Sequence, residues 1–236
     1  MTHTAVVAGV GPGLGASLVR KFAAEGCSVG MFARSADYLE TLADELQDAS
    51  GEALAVPADL TDDAQIEAGF ERVREAFGPV DVLVHNASAA SWKGLLDVTD
   101  EEFERPYEVN VLGGLRCARE AVPDMLDGDG GTVIFTGATS ALRGRGGAIG
   151  FSAAKFAARG MAESMARELG SAGIHVAHVV IDGQIANPPT LERAPDRDEE
   201  TFLDPDDVAE SYWHLVEQDR SAWTLELDLR PHVEEF

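Results

Sequence analysis

The chain has 236 residues, 45% hydrophobic and 25% charged, a length and balance that one α/β core absorbs without a second domain. Its 42 acidic residues outnumber 18 lysines and arginines, giving a formal net charge of -24 at pH 7, and Lys21, Lys93 and Lys155 are its lysines. So acidic a surface repels phosphate backbones and excludes nucleic acid as a partner; no apolar run approaches the roughly 20 residues that cross a bilayer, which leaves no membrane partner.

In chain order, short β-branched runs alternate with stretches of helical spacing. Strands are expected over residues 4–8, 28–32, 53–56, 81–84, 132–136, 175–181 and 223–229. Helices are expected over 14–25, 36–48, 62–76, 101–125, 152–169 and 206–216. Thr61-Asp62 and Thr99-Asp100 supply N-cap residues, and Gly26, Gly78 and Gly170 supply stops. This alternation predicts a Rossmann-like, doubly wound α/β fold: a seven-stranded, mostly parallel sheet with helices on both faces. Residues 187–206, rich in proline and acid, are expected to be irregular. They follow a strand's carboxyl end, where open α/β sheets bind ligands, so they read either as a substrate lid or as a solvated surface loop. No basic stretch precedes the first strand, and Cys27 and Cys117 are too few for a disulfide framework. The expectation is one domain that starts at Met1 and works in a reduced cytoplasm.

The first expected strand runs into Gly9-Val10-Gly11-Pro12-Gly13-Leu14-Gly15. A glycine-rich turn between a strand and a helix brings backbone amides and a helix N-terminus against a pyrophosphate, and side chains would block that approach. Both a wide spacing (Gly9, Gly13, Gly15) and a tight one (Gly11, Gly13, Ala16) are satisfied, and the motif alone does not choose between them. A nicotinamide dinucleotide is the expected cofactor. NAD sites place a carboxylate at the end of the second strand for the ribose 2′-OH, yet residues 27–35 contain no acid. Arg34-Ser35 stands there instead, a cation positioned for a 2′-phosphate, and this favours NADP over NAD.

Taken in order, the motifs resemble the short-chain dehydrogenase/reductase family from residue 4 to about 230. The landmarks are the glycine turn, Asp59-Leu60, Asn86-Ala87-Ser88, Asn110 in Asn110-Val111-Leu112-Gly113, the segment 138–155, and Asp182-Gly183. The resemblance implies that Asp59 and Leu60 flank the adenine and that Asn86 and Ala87 line the adenosine side. It further implies that Ile185 meets the carboxamide and that Lys155 holds the nicotinamide ribose hydroxyls. It implies no metal, and a homodimer or homotetramer formed by pairing helices 101–125 and 152–169, the latter carrying Ala153, Ala157 and Ala158.

The family's chemistry uses Asn, Ser, Tyr and Lys, and the corresponding positions here are Asn110, Ala138, Phe151 and Lys155. Both hydroxyls are replaced. A positioned general acid contributes roughly 10²- to 10⁴-fold in rate, so the loss is large. Ser88, Thr139 and Ser140 are candidate substitute hydroxyls, and Lys155 a candidate relay through water. Asp182 stands where proline is usual, and Asn187 where a carboxamide-binding threonine is common. Two functions follow. One is an NADP-dependent oxidoreductase with a non-standard proton donor, acting on a small carbonyl or alcohol. The other is a catalytically silent NADP-binding sensor or partner protein.

The charge balance also resembles that of halophilic proteins, whose self-repulsion is screened where the Debye length falls to roughly 3 Å at 1 M salt. The melting temperature should therefore rise between low and molar KCl. A melting curve indifferent to salt would remove the halophilic reading.

Overall fold

A computed structural model describes residues 3–234. Strand β1 (Thr4–Ala8) is buried along its whole length, as a central parallel strand covered on both faces must be. Its chain turns at Gly9 into α1 (Leu14–Ala24), which lays Leu14, Leu18, Val19 and Phe22 on the sheet at helical spacing. β2 (Ser28–Ala33), α2 (Ala36–Glu45), β3 (Glu52–Pro57), α3 (Asp63–Phe77) and β4 (Val82–His85) continue the alternation. Next come α4 (Asp100–Tyr107), α5 (Gly113–Asp127), β5 (Gly131–Thr136), α6 (Ile149–Leu169) and β6 (Ile174–Ile181). The chain ends with β7 (Gln184–Ile185), α7 (Pro188–Arg193), β8 (Phe202–Leu203), α8 (Pro205–Val216) and β9 (Glu226–Leu229).

Seven strands form one sheet in the order β3-β2-β1-β4-β5-β6-β9, with every pair parallel. This is the Rossmann-like fold expected from the sequence. From β1 the order runs outward in both directions, which makes the β1/β4 junction the switch point where a crevice opens at the strands' carboxyl ends. One core layer packs Phe22, Leu39, Leu42 and Tyr212 from α1, α2 and α8 on one face. The other packs Ile66, Phe70, Met125 and Ala162 from α3, α5 and α6 on the opposite face.

The caps follow local chemistry. Asp62 accepts the Gln65 amide at the start of α3, and Thr99 forms a reciprocal capping box with Glu102 at the start of α4. Gly78, at φ 91°, ends α3. Three expectations are corrected. The span 101–125 is not one helix: Pro106 lies inside α4, and residues 108–112 widen into a π-helical turn before α5 begins. The last strand starts at Glu226 rather than at residue 223, because Trp223 leaves the sheet to stack on buried His175 with ring centroids 5.0 Å apart. The stretch 187–206 is not wholly irregular. It holds α7 and β8, β8 pairs with β7, and Phe202 and Leu203 are buried against the body.

His85 on β4 is 2% exposed, with its ring 6.1 Å from that of Phe135. Burial, reinforced by Lys155, lowers its pKa to about 3, and burial also lowers that of His178 on β6. An unfolded histidine titrates near about 6.5, so below that pH the unfolded chain binds protons that the folded chain refuses. Stability should therefore fall as pH drops from 7 to 5.5, above the carboxylate range. Urea midpoints measured across that window should show the slope, and His85→Gln should make it shallower.

Candidate active site

Four glycines shape the turn after β1, for different reasons. Gly9 has φ 107°, and a methyl group there would lie 2.3 Å from the Ala87 amide nitrogen. A methyl group on Gly15 would lie 2.6 Å from the Gly9 carbonyl oxygen. Gly13 has φ 106°, and a methyl group there would lie 3.0 Å from Asn187 Cβ. These three are required by the protein's own packing and backbone. Gly11 is not: its φ is ordinary and a methyl group there would meet nothing within 4 Å. What Gly11 leaves open is the cleft itself. α1 has no side-chain N-cap hydrogen bond; its Ala16 and Ser17 amides donate to the Gly11 and Gly13 carbonyls, which leaves the amides of Leu14 and Gly15 to face an anion in that cleft.

The outer part of the cleft is a cavity of about 630 Å³. Its walls are the glycine turn, Arg34 and Ser35 at the end of β2, Asp59 and Leu60 beyond β3, and Ala87 and Ser88 beyond β4. Asp59 accepts from the Thr61 amide (3.0 Å) and hydroxyl (2.8 Å), which hold its carboxyl below the ordinary range; Arg105 and Arg34 add to the effect. Arg34 is exposed and makes no hydrogen bond or ion pair with the described residues. Ser35 occupies the N-cap of α2 without using its hydroxyl as a cap.

The inner part, about 330 Å³, shares Gly9, Gly11, Asn86, Ser88 and Asn187 with the outer one, so the two form a continuous cleft. Leu14, Gly15, Ala138, Phe151, Lys155 and Ile185 line it. An ordered hydrogen-bond chain backs this wall. The Tyr212 hydroxyl lies 2.8 Å from the Thr136 hydroxyl, which donates to Asn86 Oδ1 at 3.1 Å, while Asn86 Nδ2 donates to the Gly9 carbonyl at 2.8 Å. Because Thr136 donates its hydroxyl proton to Asn86, it must accept from Tyr212. Lys155 Nζ donates to the Thr136 carbonyl at 2.9 Å, and burial lowers its pKa to about 8. The Phe151 ring sits between Lys155 Nζ, 5.7 Å from its centroid, and Trp92, with ring centroids 5.4 Å apart.

Asn110 lines neither cavity. It lies in the π-helical turn, and its Nδ2 donates to the carbonyls of Pro106 (2.7 Å) and Ala89 (2.8 Å). Its Oδ1 is buried without a protein partner. Thr139 is removed from the substitute hydroxyls, because it donates to Asp182 Oδ1 at 2.6 Å. Asp182, 2% exposed, is also held by Arg230 (3.2 Å) and Arg143 (3.4 Å), and so ties together the segments after β5, β6 and β9. Ser140 is buried in a 3₁₀ turn, while Ser88 stays exposed at the junction of the two cavities. Along α6, Ala154 and Ala158 are buried against Val111, Ala157 is half-buried and Ala153 is exposed.

Thr136, Tyr212 and Trp92 escaped the sequence reading. Thr136 was findable as the last residue of a strand at the binding end of the sheet. Tyr212 and Trp92 reach the site through tertiary packing alone. Among the described residues, no His, Cys, Asp and Glu cluster is placed to hold a metal, and no helix is long and apolar enough to cross a membrane. Cys27 and Cys117 are buried free thiols.

The short chain dehydrogenase family matches residues 3–189. The chain belongs to that family. Among curated short-chain dehydrogenase relatives, the 3-oxoacyl-acyl-carrier-protein reductase MabA of Mycobacterium tuberculosis is 32% identical over 185 residues, covering 78% of this chain and 70% of that protein. A short-chain dehydrogenase from Rhodopseudomonas palustris has a solved structure with 35% identity and a TM-score of 0.85, covering 98% of this chain and 99% of the other. The alcohol dehydrogenase of the archaeon Thermococcus sibiricus, solved with 5-hydroxy-NADP, is 26% identical with a TM-score of 0.89, covering 100% and 99%.

The division among the glycines is testable. Gly9→Ala should destabilise the protein by about 2 kcal/mol or more through clash and a strained φ. Gly11→Ala should stay within about 0.5 kcal/mol of the parent. Urea unfolding of the two variants separates them, and equal losses would contradict the assignment of Gly11 to the cleft.

Proposed function

We propose that this dehydrogenase binds NADP(H) along the cleft and transfers hydride between it and a small carbonyl or alcohol. The observation that carries the reading is the continuity of the cleft, which runs from the unpaired Arg34, across the open face of Gly11, to the buried amine of Lys155. Arg34 and the free N-cap of α2 suit the 2′-phosphate, and the first turn of α1 suits the pyrophosphate. Asp59, Leu60, Asn86, Ala87 and Ser88 would border the adenosine half, with Lys155 and Ile185 at the nicotinamide end. The cofactor supplies the hydride. The protein holds both partners, excludes water with Phe151 and Trp92, and provides the proton.

The whole chain acts in this reading as one dinucleotide-binding domain, with residues 187–206 as a lid whose root, Asn187, lines both cavities. Exposed Phe103, Tyr107 and Phe156 on α4 and α6 suit pairing with a second copy, in a homodimer or homotetramer. The acidic surface suits a small-molecule partner and a cytoplasmic setting. The silent NADP-binding alternative is favoured by Ala138 and Phe151, the two positions where the resemblance calls for hydroxyls.

Two measurements test the proposal. Cofactor fluorescence titration should show tighter binding of NADPH than NADH, with Arg34→Ala erasing most of the preference. NADPH oxidation with small aldehydes, ketones and quinones should be detectable. Equal cofactor affinities would overturn the NADP assignment, and tight NADPH binding without turnover would favour the silent protein.

A further inference from the structure

We propose that Lys155 is itself the acid of this site, giving a proton directly to the substrate oxygen. The inference rests on the oxidoreductase reading above and names the proton donor that it leaves open. Lys155 is 2% exposed yet lines the inner cavity beside Ala138, Phe151 and Ser88. Its ammonium has one hydrogen-bond acceptor, the Thr136 carbonyl at 2.9 Å, and no carboxylate within ion-pair distance among the described residues. Two of its three N–H groups are therefore uncommitted in a wall that faces the cleft.

The neighbouring hydroxyls do not compete. Thr139 is bonded to Asp182, and Thr136 is held between Asn86 and Tyr212. Tyr212 is fully buried, and burial pushes its pKa well above the ordinary phenol. Ser88 has no hydrogen-bonded acid or base among the described residues to support an alkoxide. Of the other buried titratable groups near the amine, His85 on β4 has its pKa lowered by burial to about 3, and His178 on β6 has its pKa lowered by burial against the opposing pull of Glu226, 3.2 Å from its ring. Phe151 lines the same cavity with a bare ring, its centroid 5.7 Å from Nζ, and so brings no hydroxyl to compete with the amine for a substrate oxygen. A pKa lowered to about 8 suits an acid working near neutrality.

In the reducing direction, a bound reduced nicotinamide would supply hydride to the carbonyl carbon, leaving the C=O π pair on oxygen. That oxygen takes a proton from Nζ as the N–H bond breaks. The products are the alcohol, the oxidised nicotinamide and a neutral amine, which regains its proton from solvent.

With three lysines in the chain, ¹³Cε-lysine labelling yields three signals, and Lys155→Arg identifies the one that belongs to Lys155. That signal should titrate near about 8, below the ordinary lysine value of about 10.4. With NADPH and the carbonyl panel, wild-type kcat/KM should fall above the same pH. Lys155→Arg keeps the positive charge but has no proton to give, so it should lose about 10²-fold or more and with it that limb of the profile. Adding Phe151→Tyr to Lys155→Arg should restore part of the rate by supplying a phenol. A Lys155 signal titrating above 10, or a Lys155→Arg variant with unchanged rate and profile, overturns the proposal while leaving the oxidoreductase reading intact. A wild type that binds NADPH and reduces nothing overturns the oxidoreductase reading, and this proposal with it.

Discussion

The site depends on one close approach, between the backbone turn that leaves β1 and the turn that leaves β4. Gly9 and Ala87 lie too near each other for a side chain on Gly9, and Gly15 packs against the Gly9 carbonyl in the same way. Asn86 fastens the junction through its hydrogen bond to that carbonyl. With these turns pressed together, the N-terminus of α1 points into the crevice of the switch point and the inner and outer cavities become continuous. Moving either turn outward would open the junction and misalign both halves of the cleft.

From that junction order spreads inward through polar side chains rather than through more backbone. Asn86 satisfies Gly9 on one side and Thr136 on the other, and Thr136 holds both Tyr212 and Lys155. Every link is partly or wholly buried, where a lost partner leaves a polar group unsatisfied and costs about 1–3 kcal/mol. The network thus restricts each member to one rotamer. It also leaves Lys155 with one hydrogen-bond acceptor among the described residues, a carbonyl oxygen, and burial accounts for its lowered pKa.

The rim is held by charge. Asp182, after β6, gathers Thr139 and Arg143 from the loop after β5 and Arg230 from the segment after β9, at the carboxyl end of the sheet. Removing the partners of Asp182 would be destabilising, because its carboxylate, 3% exposed, would stay in low dielectric without compensation. A cluster of this kind fixes the loop after β5, and with it Ala138, against the inner cavity. Trp92 completes the rim by packing on Phe151 while the Arg145 guanidinium lies 5.2 Å from its ring centroid.

The sequence by itself determined the element order and six of the seven sheet strands to within a residue at each end; of its expected site residues Arg34, Asp59, Asn86 and Lys155 lie along the cleft, whereas Asn110 does not. Those features are local: β-branched runs, helical spacing, cap residues and glycines write their conformations into a few neighbouring positions. It did not determine where the 101–125 helix would break, that residues 187–206 would bury Phe202 and Leu203, or that the final strand would begin late. Each was decided by a partner distant in sequence: β7 for β8, and His175 for Trp223. At Asn110 it was the Ala89 carbonyl, joined by that of Pro106 within the widened turn. Which glycines serve the protein and which one serves the cleft was likewise invisible in the motif, because both spacings fit the same seven residues. Only tertiary structure brings Ala87 to within contact of Gly9 and nothing to Gly11, since a side chain's room is set by what the rest of the chain folds against it.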